Sequence, residues 1–225
     1  MPSLRSPAAP AVSDPCVLLT GFDPFGGATE NPSALAVRAL HRERIEGRRV
    51  AAVELPTEFG RARRVLDIWL DQLRPELVVC VGQAGGRPGI SIERVAINVD
   101  DAPMPDNAGI RPVDEPVVPG GPVAYFSSLP IKAIRQALLA EGLPAEVSQT
   151  AGTFVCNHVF YGLMHRLATH PGLQHARGGF VHVPWMRGQG QPSLPLETII
   201  HGLRVLLHTA LACRQDIRLA AGSSH

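Results

Sequence analysis

A mostly parallel β-sheet covered by helices on both faces is the fold the sequence predicts, and three observations predict it. Segments of strand and helix character alternate along the chain. Two strand segments, Cys16 to Thr20 (CVLLT) and Leu77 to Val81 (LVVCV), are rich in Val and Leu without polar alternation. Both runs stop at glycine, Gly21 and Gly82. Strands buried on both faces read as continuous apolar runs, whereas half-solvated strands alternate.

The elements follow in order. After the first strand and the glycine-rich turn Gly21 to Gly27, Asn31-Pro32-Ser33 reads as a helix start with Pro just inside it, and the helix runs from about Ser33 to Arg44. Val50 to Leu55 is a second strand. Glu58 to Leu73 places Phe59, Ala62, Leu66, Trp69 and Leu73 at helical spacing. Leu77 to Val81 is the third strand, and Ile90 to Val99 (ISIERVAINV) is an alternating extended segment. Asp100 to Gly121 is dominated by Pro, Gly, Asp and Asn and reads as a long loop of the kind that is functional or disordered. Helices are expected at Leu129 to Glu141, Thr153 to Thr169 and Leu196 to Cys213, with strands at Ala145 to Ser148 and Gly179 to Val183. One domain over residues 16–219 accounts for the pattern, flanked by a flexible extension (1–15) and a flexible tail (220–225), both poor in periodicity.

Composition narrows the function. With 21 basic and 20 acidic residues the net charge is +1, which gives no electrostatic reason to expect nucleic acid or an anionic membrane as partner. No apolar run reaches the roughly 18 residues of a membrane span, and the N-terminus lacks the apolar stretch of a secretory signal. The four cysteines, Cys16, Cys80, Cys156 and Cys213, are far apart with no CxxC pair. That spacing suggests neither a zinc site nor a disulfide framework, and fits reduced thiols in a cytoplasmic protein.

Ligands of open α/β sheets bind beyond the carboxyl ends of the strands. Four segments reach that edge: the turn Gly21 to Gly27, Gly82 to Arg87, the turn before Cys156, and the end of the strand holding His182. Cys156 lies just inside a helix, where the helix N-terminus favours a thiolate and free N–H groups favour an oxyanion. It equally suits a small hydrophobe on a buried stripe with Phe160, Leu163 and Leu167, and the residues alone leave both readings open. Cys16, Cys80 and Cys213 read as packing. A thiol nucleophile needs a base, usually histidine, oriented by a polar group. His182 lies in an apolar strand, where a satisfied buried histidine is the ordinary alternative. His158, His165 and His201 read as surface or core-edge residues. Glu93, inside ISIERVAINV, must be paired, either with neighbouring Arg94 or another basic group, or with a histidine's second nitrogen. Phe22 and Phe25 on the glycine turn suit the walls of a small flat ligand better than a phosphate cradle, because the P-loop lysine and the GxGxxG spacing are absent. Gln83 offers an amide donor and acceptor beside that turn.

Seven stretches carry a resemblance: LLTGFDPFGG-x3-NPS from Leu18, VGQAGGR from Val81, ISIERVAIN from Ile90, PDNAG from Pro105, AYFSSLPIKAI from Ala124, TAGTFVCNHVFYGLMH from Thr150 and GGFVHVP from Gly178. In this order the chain resembles the pyroglutamyl peptidase I (pyrrolidone-carboxylate peptidase) family of cysteine peptidases over about residues 16 to 212. The resemblance implies a three-layer α/β/α sandwich around a mostly parallel, mixed sheet of phosphorylase/hydrolase-like type, without metal or organic cofactor, assembled as a homotetramer. It implies Cys156 as nucleophile, His182 as general base and Glu93 as the group orienting it. Phe22 and Phe25 would flank a pyrrolidone ring, and Asn31 and Gln83 would be polar contacts. The implied substrates are peptides with N-terminal pyroglutamate. In the stretch Asp101 to Asn107, Pro103 stands where the family often has arginine, so any role of that arginine is lost or falls to Arg94 or Arg87. Two other functions share this kind of sheet: a phosphorylase-like transferase, which needs phosphate-binding arginines at the glycine turns, and a catalytically silent binder of capped peptides.

Overall fold

The computed structural model describes residues 15–222. The predicted N-terminal extension lies almost wholly outside the described residues, as does the end of the predicted tail. The elements are β1 (Cys16–Phe22), α1 (Pro32–Ala39), β2 (Arg44–Ile45), β3 (Arg48–Leu55), α2 (Arg61–Leu73), β4 (Leu77–Gln83), β5 (Ile90–Glu93), β6 (Val95–Ile97), β7 (Ala124–Phe126), α3 (Ile131–Ala140), β8 (Ala145–Ser148), α4 (Val155–Thr169), β9 (Arg177–Val183), β10 (Trp185–Met186), β11 (Ser193–Leu194) and α5 (Leu196–Ala212).

Seven strands form one sheet in the order β2-β3-β1-β4-β9-β5-β8. Its pairings are parallel except β2 with β3 and β5 with β9, so the sheet is mixed and mostly parallel. Strand alternation sorts side chains to two cores. Val17, Leu19, Val79, Val81, Val181 and Val183 pack beneath α1, α3 and α5. Leu18, Phe22, Val78, Cys80 and Phe180 face α2 and α4. The result is the α/β/α sandwich that the continuous apolar runs predict.

Element boundaries moved where backbone geometry intervened. Helix α1 ends at Ala39 rather than near Arg44, because Arg42 adopts a left-handed φ of 69° and donates to the Val50 carbonyl, opening the β2–β3 hairpin. Helix α2 starts at Arg61, after Gly60 at φ 68°. The extended segment Ile90–Val99 breaks at Arg94. There the chain leaves the main sheet, and β6 pairs antiparallel with β7 in a separate ribbon.

The loop 100–121 has no regular structure, as expected, yet it is held by polar contacts. Asp100 and Glu115 exchange backbone hydrogen bonds, and Asn98 donates through Nδ2 to the carbonyls of Val118 and Gly121. The segment after α5 is also docked: the Asp216 carboxylate accepts from the backbone N–H groups of Lys132 and Ala133 at the start of α3. Among the described residues no helix is long and apolar enough to cross a membrane.

Candidate active site

Strands β4 and β9 run parallel, with Gly82 directly opposite His182. Both residues lie on the α4 side of the sheet, since Cys80 and Phe180, two positions earlier, belong to that core. Helix α4 begins at Val155 and places Cys156 in its first turn, above this pair. The contact is close: a Cβ on Gly82 would lie 2.8 Å from Cys156 Sγ and 2.9 Å from the Phe180 ring. A side chain at position 82 would therefore occupy the volume of the thiol, so glycine is what lets the Cys156 side chain reach the sheet.

His182 is nearly fully buried, and its ring packs on Phe180 at a centroid distance of 4.9 Å. Its Nδ1 lies 2.7 Å from Oε1 of Glu93, which has no exposure at all. A carboxylate acceptor at Nδ1 selects the tautomer with the proton there, leaving Nε2 as the acceptor nitrogen. Register explains the meeting of β5 and β9: Ser91 pairs with His182 in the antiparallel ladder, which leaves Glu93 at the end of β5 beside the imidazole.

The same Glu93 oxygen accepts from Arg87 NH1 at 2.6 Å, and Arg87 NH2 donates to the Thr150 carbonyl at 3.0 Å. Neighbouring Arg94, the nearest candidate partner for Glu93 in sequence, turns away and donates to the Ala221 carbonyl. Successive strand residues point to opposite sides, so adjacency in sequence works against that pair. Of the two arginines that could serve beside Pro103, Arg87 is the one at the site.

The thiol's electrostatics differ from the sequence expectation. Burial pushes Cys156 up to about 12, with Glu93 adding to the rise and Arg87 opposing it. Packing against Gly82 and Phe180 disfavours the charged thiolate and favours the neutral thiol. Burial lowers the His182 pKa, partly offset by its hydrogen bond to Glu93, so the imidazole is neutral. A neutral thiol and a neutral imidazole can generate a thiolate by proton transfer at the moment of attack. No side chain caps the start of α4, so its first backbone N–H groups are available to an oxyanion. Cys80 is in the core below, its thiol also raised by burial to about 12.

The four expected pocket residues are placed differently from one another. Phe22 is almost fully buried, its ring 6.2 Å from that of Phe180, and so forms a floor rather than an open wall. Phe25 is half-buried and packs against Phe154, the residue preceding α4, at 6.3 Å. Gln83 ends β4, and its buried Oε1 has no hydrogen-bond partner among the described residues. Asn31 is committed internally. Its Oδ1 accepts from Ser33 N and Oγ, capping α1, and its Nδ2 donates to the Asp23 carbonyl. Those bonds use most of an amide's capacity, which casts Asn31 as a brace for the glycine turn.

Residues that sequence reasoning passed over complete the frame. Asn157 bonds the backbone of Ile97 and Val99, and Thr153 exchanges bonds with Asp101, tying the start of α4 to the loop 100–121. Asn107 donates to Asp23 Oδ1 and the Pro24 carbonyl, joining the same loop to the glycine turn. His158, expected at a surface or core edge, is buried and pairs through Nδ1 with Asp100 at 2.7 Å, while Nε2 accepts from Gly60 N. The i, i+2 spacing from Cys156 was the only available signal, and it carries no geometry by itself. His165 and His201 fit their expected settings, beside Tyr125 and on the surface near Glu141.

Residues 16–213 match the family model described as Pyroglutamyl peptidase. The chain is 57% identical over 216 residues to Pyrrolidone-carboxylate peptidase 1 of Ralstonia nicotianae, covering 94% of this chain and 100% of that protein. It is 52% identical over 214 residues to a Pyrrolidone-carboxylate peptidase of Bacillus cytotoxicus, covering 93% and 99%. Among solved structures, pyroglutamyl peptidase I from Bacillus amyloliquefaciens superposes with a TM-score of 0.89 at 45% identity, covering 92% of this chain and 100% of that one. The pyrrolidone carboxyl peptidase from Thermococcus litoralis does so with a TM-score of 0.87 at 33% identity, covering 92% and 99%.

Proposed function

The chain belongs to the pyroglutamyl peptidase family and is a cysteine peptidase that removes N-terminal pyroglutamyl residues; from that premise we propose that Cys156, His182 and Glu93 carry the reaction. The observation that carries the assignment is the convergence of three strands' ends on one thiol. Cys156 Sγ rests over Gly82, His182 is the register partner of Gly82, and Glu93 holds His182 by Nδ1.

In this reading His182 Nε2 takes the Cys156 proton as the sulfur attacks the pyroglutamyl carbonyl. The oxyanion meets backbone N–H groups at the start of α4. Collapse expels the peptide amine, which receives the proton from His182, and leaves an acyl thioester on Cys156. His182 then deprotonates a water that attacks the thioester, releasing pyroglutamate and returning the proton to the thiol. Glu93 keeps the imidazole in one tautomer and stabilises its transient positive charge.

The unpartnered Gln83 Oε1 is suited to accept the lactam N–H, with Phe25 and Phe154 at the mouth and Phe22 against Phe180 beneath. Such a pocket disfavours proline, because a ring lacking the lactam carbonyl leaves polar groups unpaired. The transferase alternative lacks support: Arg87, the arginine at the glycine turn after β4, is committed to Glu93 and Thr150 rather than free for phosphate. Family membership also supports a homo-oligomer, a tetramer by resemblance, acting in the cytoplasm on small capped peptides.

Release of a chromogenic amine from a pyroglutamyl amide under reducing conditions, wild type against Cys156→Ser, tests the assignment. Activity in the wild type and a loss of at least about 1,000-fold in the variant are expected. A fully active variant removes Cys156 from the mechanism.

A further inference from the structure

We propose that Arg87 is a positioning residue of the peptidase reaction, a two-point clamp that fixes the Glu93 carboxylate against His182 and anchors the turn leading to Cys156. The inference rests on the reading of Cys156 and His182 as nucleophile and base.

Glu93 has two carboxylate oxygens but uses only one. Oε1 accepts hydrogen bonds from both His182 Nδ1 and Arg87 NH1, while Oε2 is buried with no partner among the described residues. Two donors converging on one oxygen set the rotation of the carboxylate. Without Arg87, the group is free to turn and present Oε2, and the bond that orients the imidazole loses its fixed direction. The pair is also unlike a surface ion pair. Its carboxylate is completely buried and the arginine side chain about one-quarter exposed, so losing the cation leaves an uncompensated buried charge.

The second contact extends the clamp to the nucleophile. Arg87 NH2 holds the Thr150 carbonyl. From there the chain runs through Ala151, Gly152, Thr153 and Phe154 into α4, and Ser148 Oγ donates to the same carbonyl. One planar guanidinium therefore spans the end of β5 and the turn that delivers Cys156. Its fork reaches two acceptors at once, and a lysine's single ammonium does not match that geometry. The charged and titratable groups around the pair are few. Cys156 faces Glu93 from β5, Arg87 from the loop after β4, and Cys80 from β4. His182 faces Glu93 and Arg87. Arg87 opposes protonation of both reacting groups, so its removal raises the pKa of each.

The test compares Arg87→Gln and Arg87→Lys in the full chain by steady-state hydrolysis of a pyroglutamyl amide across pH, and by iodoacetamide alkylation of Cys156 mapped by mass spectrometry. For Arg87→Gln, kcat falls on the order of 10- to 100-fold with KM within about twofold, as expected for a misplaced base. The acid limb of the rate profile moves to higher pH, and alkylation at a fixed neutral pH slows by about tenfold per unit of thiol shift. Arg87→Lys restores the position of the acid limb but not kcat. A kcat within about twofold of wild type in Arg87→Gln overturns the proposal, as does a fall in kcat with the limb and the alkylation rate unmoved. If Arg87→Gln does not fold, wild-type kcat in Arg87→Lys overturns it instead. Failure of the nucleophile assignment itself would show separately, as an active Cys156→Ser variant or an inactive wild type.

Discussion

Among the described residues are two buried histidine–carboxylate pairs, His182 with Glu93 and His158 with Asp100, and both have Nδ1 2.7 Å from a carboxylate oxygen. They part company at the other nitrogen. His158 Nε2 accepts the Gly60 backbone N–H, closing the pair into a structural link between α4, the start of α2 and the loop 100–121. Among the described residues His182 Nε2 meets no such backbone donor, and in the proposed reading it serves the thiol above Gly82. The same two residue types thus make a brace in one place and, in the proposed reading, a base in the other. What separates them is the partner of the second nitrogen, which the backbone supplies.

The sharpest way to break this comparison is to neutralise each carboxylate's pair in turn. Glu93→Gln should lower kcat by about 100- to 10,000-fold, the scale seen when a base loses its orienting carboxylate. With neutral His182 as the proposed base and burial holding its pKa below the usual 6.5, activity should fall as pH drops through that lowered value. Glu93 raises that pKa, so Glu93→Gln moves the acid limb further down, opposite to the shift expected for Arg87→Gln. A pH–rate profile of the two variants checks the signs, and a common direction would contradict the geometry.

Gly82→Ala tests the second half of the contrast, the thiol that only one histidine meets. The added Cβ would stand 2.8 Å from Cys156 Sγ, so the helix start must shift. We expect a loss of kcat of about 100-fold, since small misplacements of reacting groups carry that cost, with destabilisation of only about 1–3 kcal/mol from overpacking. Kinetics and urea unfolding of one preparation separate the two effects. A fully active alanine variant would mean that the thiol does not use this gap.

His158→Ala should give the mirror image and the smallest catalytic effect. It strands the Asp100 carboxylate and the Gly60 N–H in the interior, which costs about 3 kcal/mol of stability. Folded protein should keep kcat to within about tenfold of wild type. Denaturant midpoints measured beside kcat would show whether the brace and the base are as separable as their hydrogen bonds indicate.

Much of this architecture was legible in residue order. The uninterrupted runs of β1 and β4 and the apolar stretch of β9 have no face to expose, so they could only be central strands. The structure places Cys80 with Gly82, and Phe180 with His182, on common faces. The two- and three-residue strands β2, β6, β7, β10 and β11 carry no periodic signal, because a segment that short is a strand only by virtue of its partner. For the same reason, ISIERVAINV read as one strand although Arg94 divides it between two sheets.

The candidate site divides along the same line. Residue types and motif order by themselves singled out Cys156, His182, Glu93 and Gln83, because nucleophile, base, carboxylate and amide are chemical identities written in the side chains. Tertiary structure alone decided that Glu93 answers to Arg87 rather than Arg94, and that Asn31 is spent on a cap. It also decided that His158 is a buried brace and that burial disfavours the Cys156 thiolate. Each of these depends on which groups from distant segments share a small volume and how much water is left there. Parallel strand register and helix docking set those quantities, and no local stretch of sequence contains them.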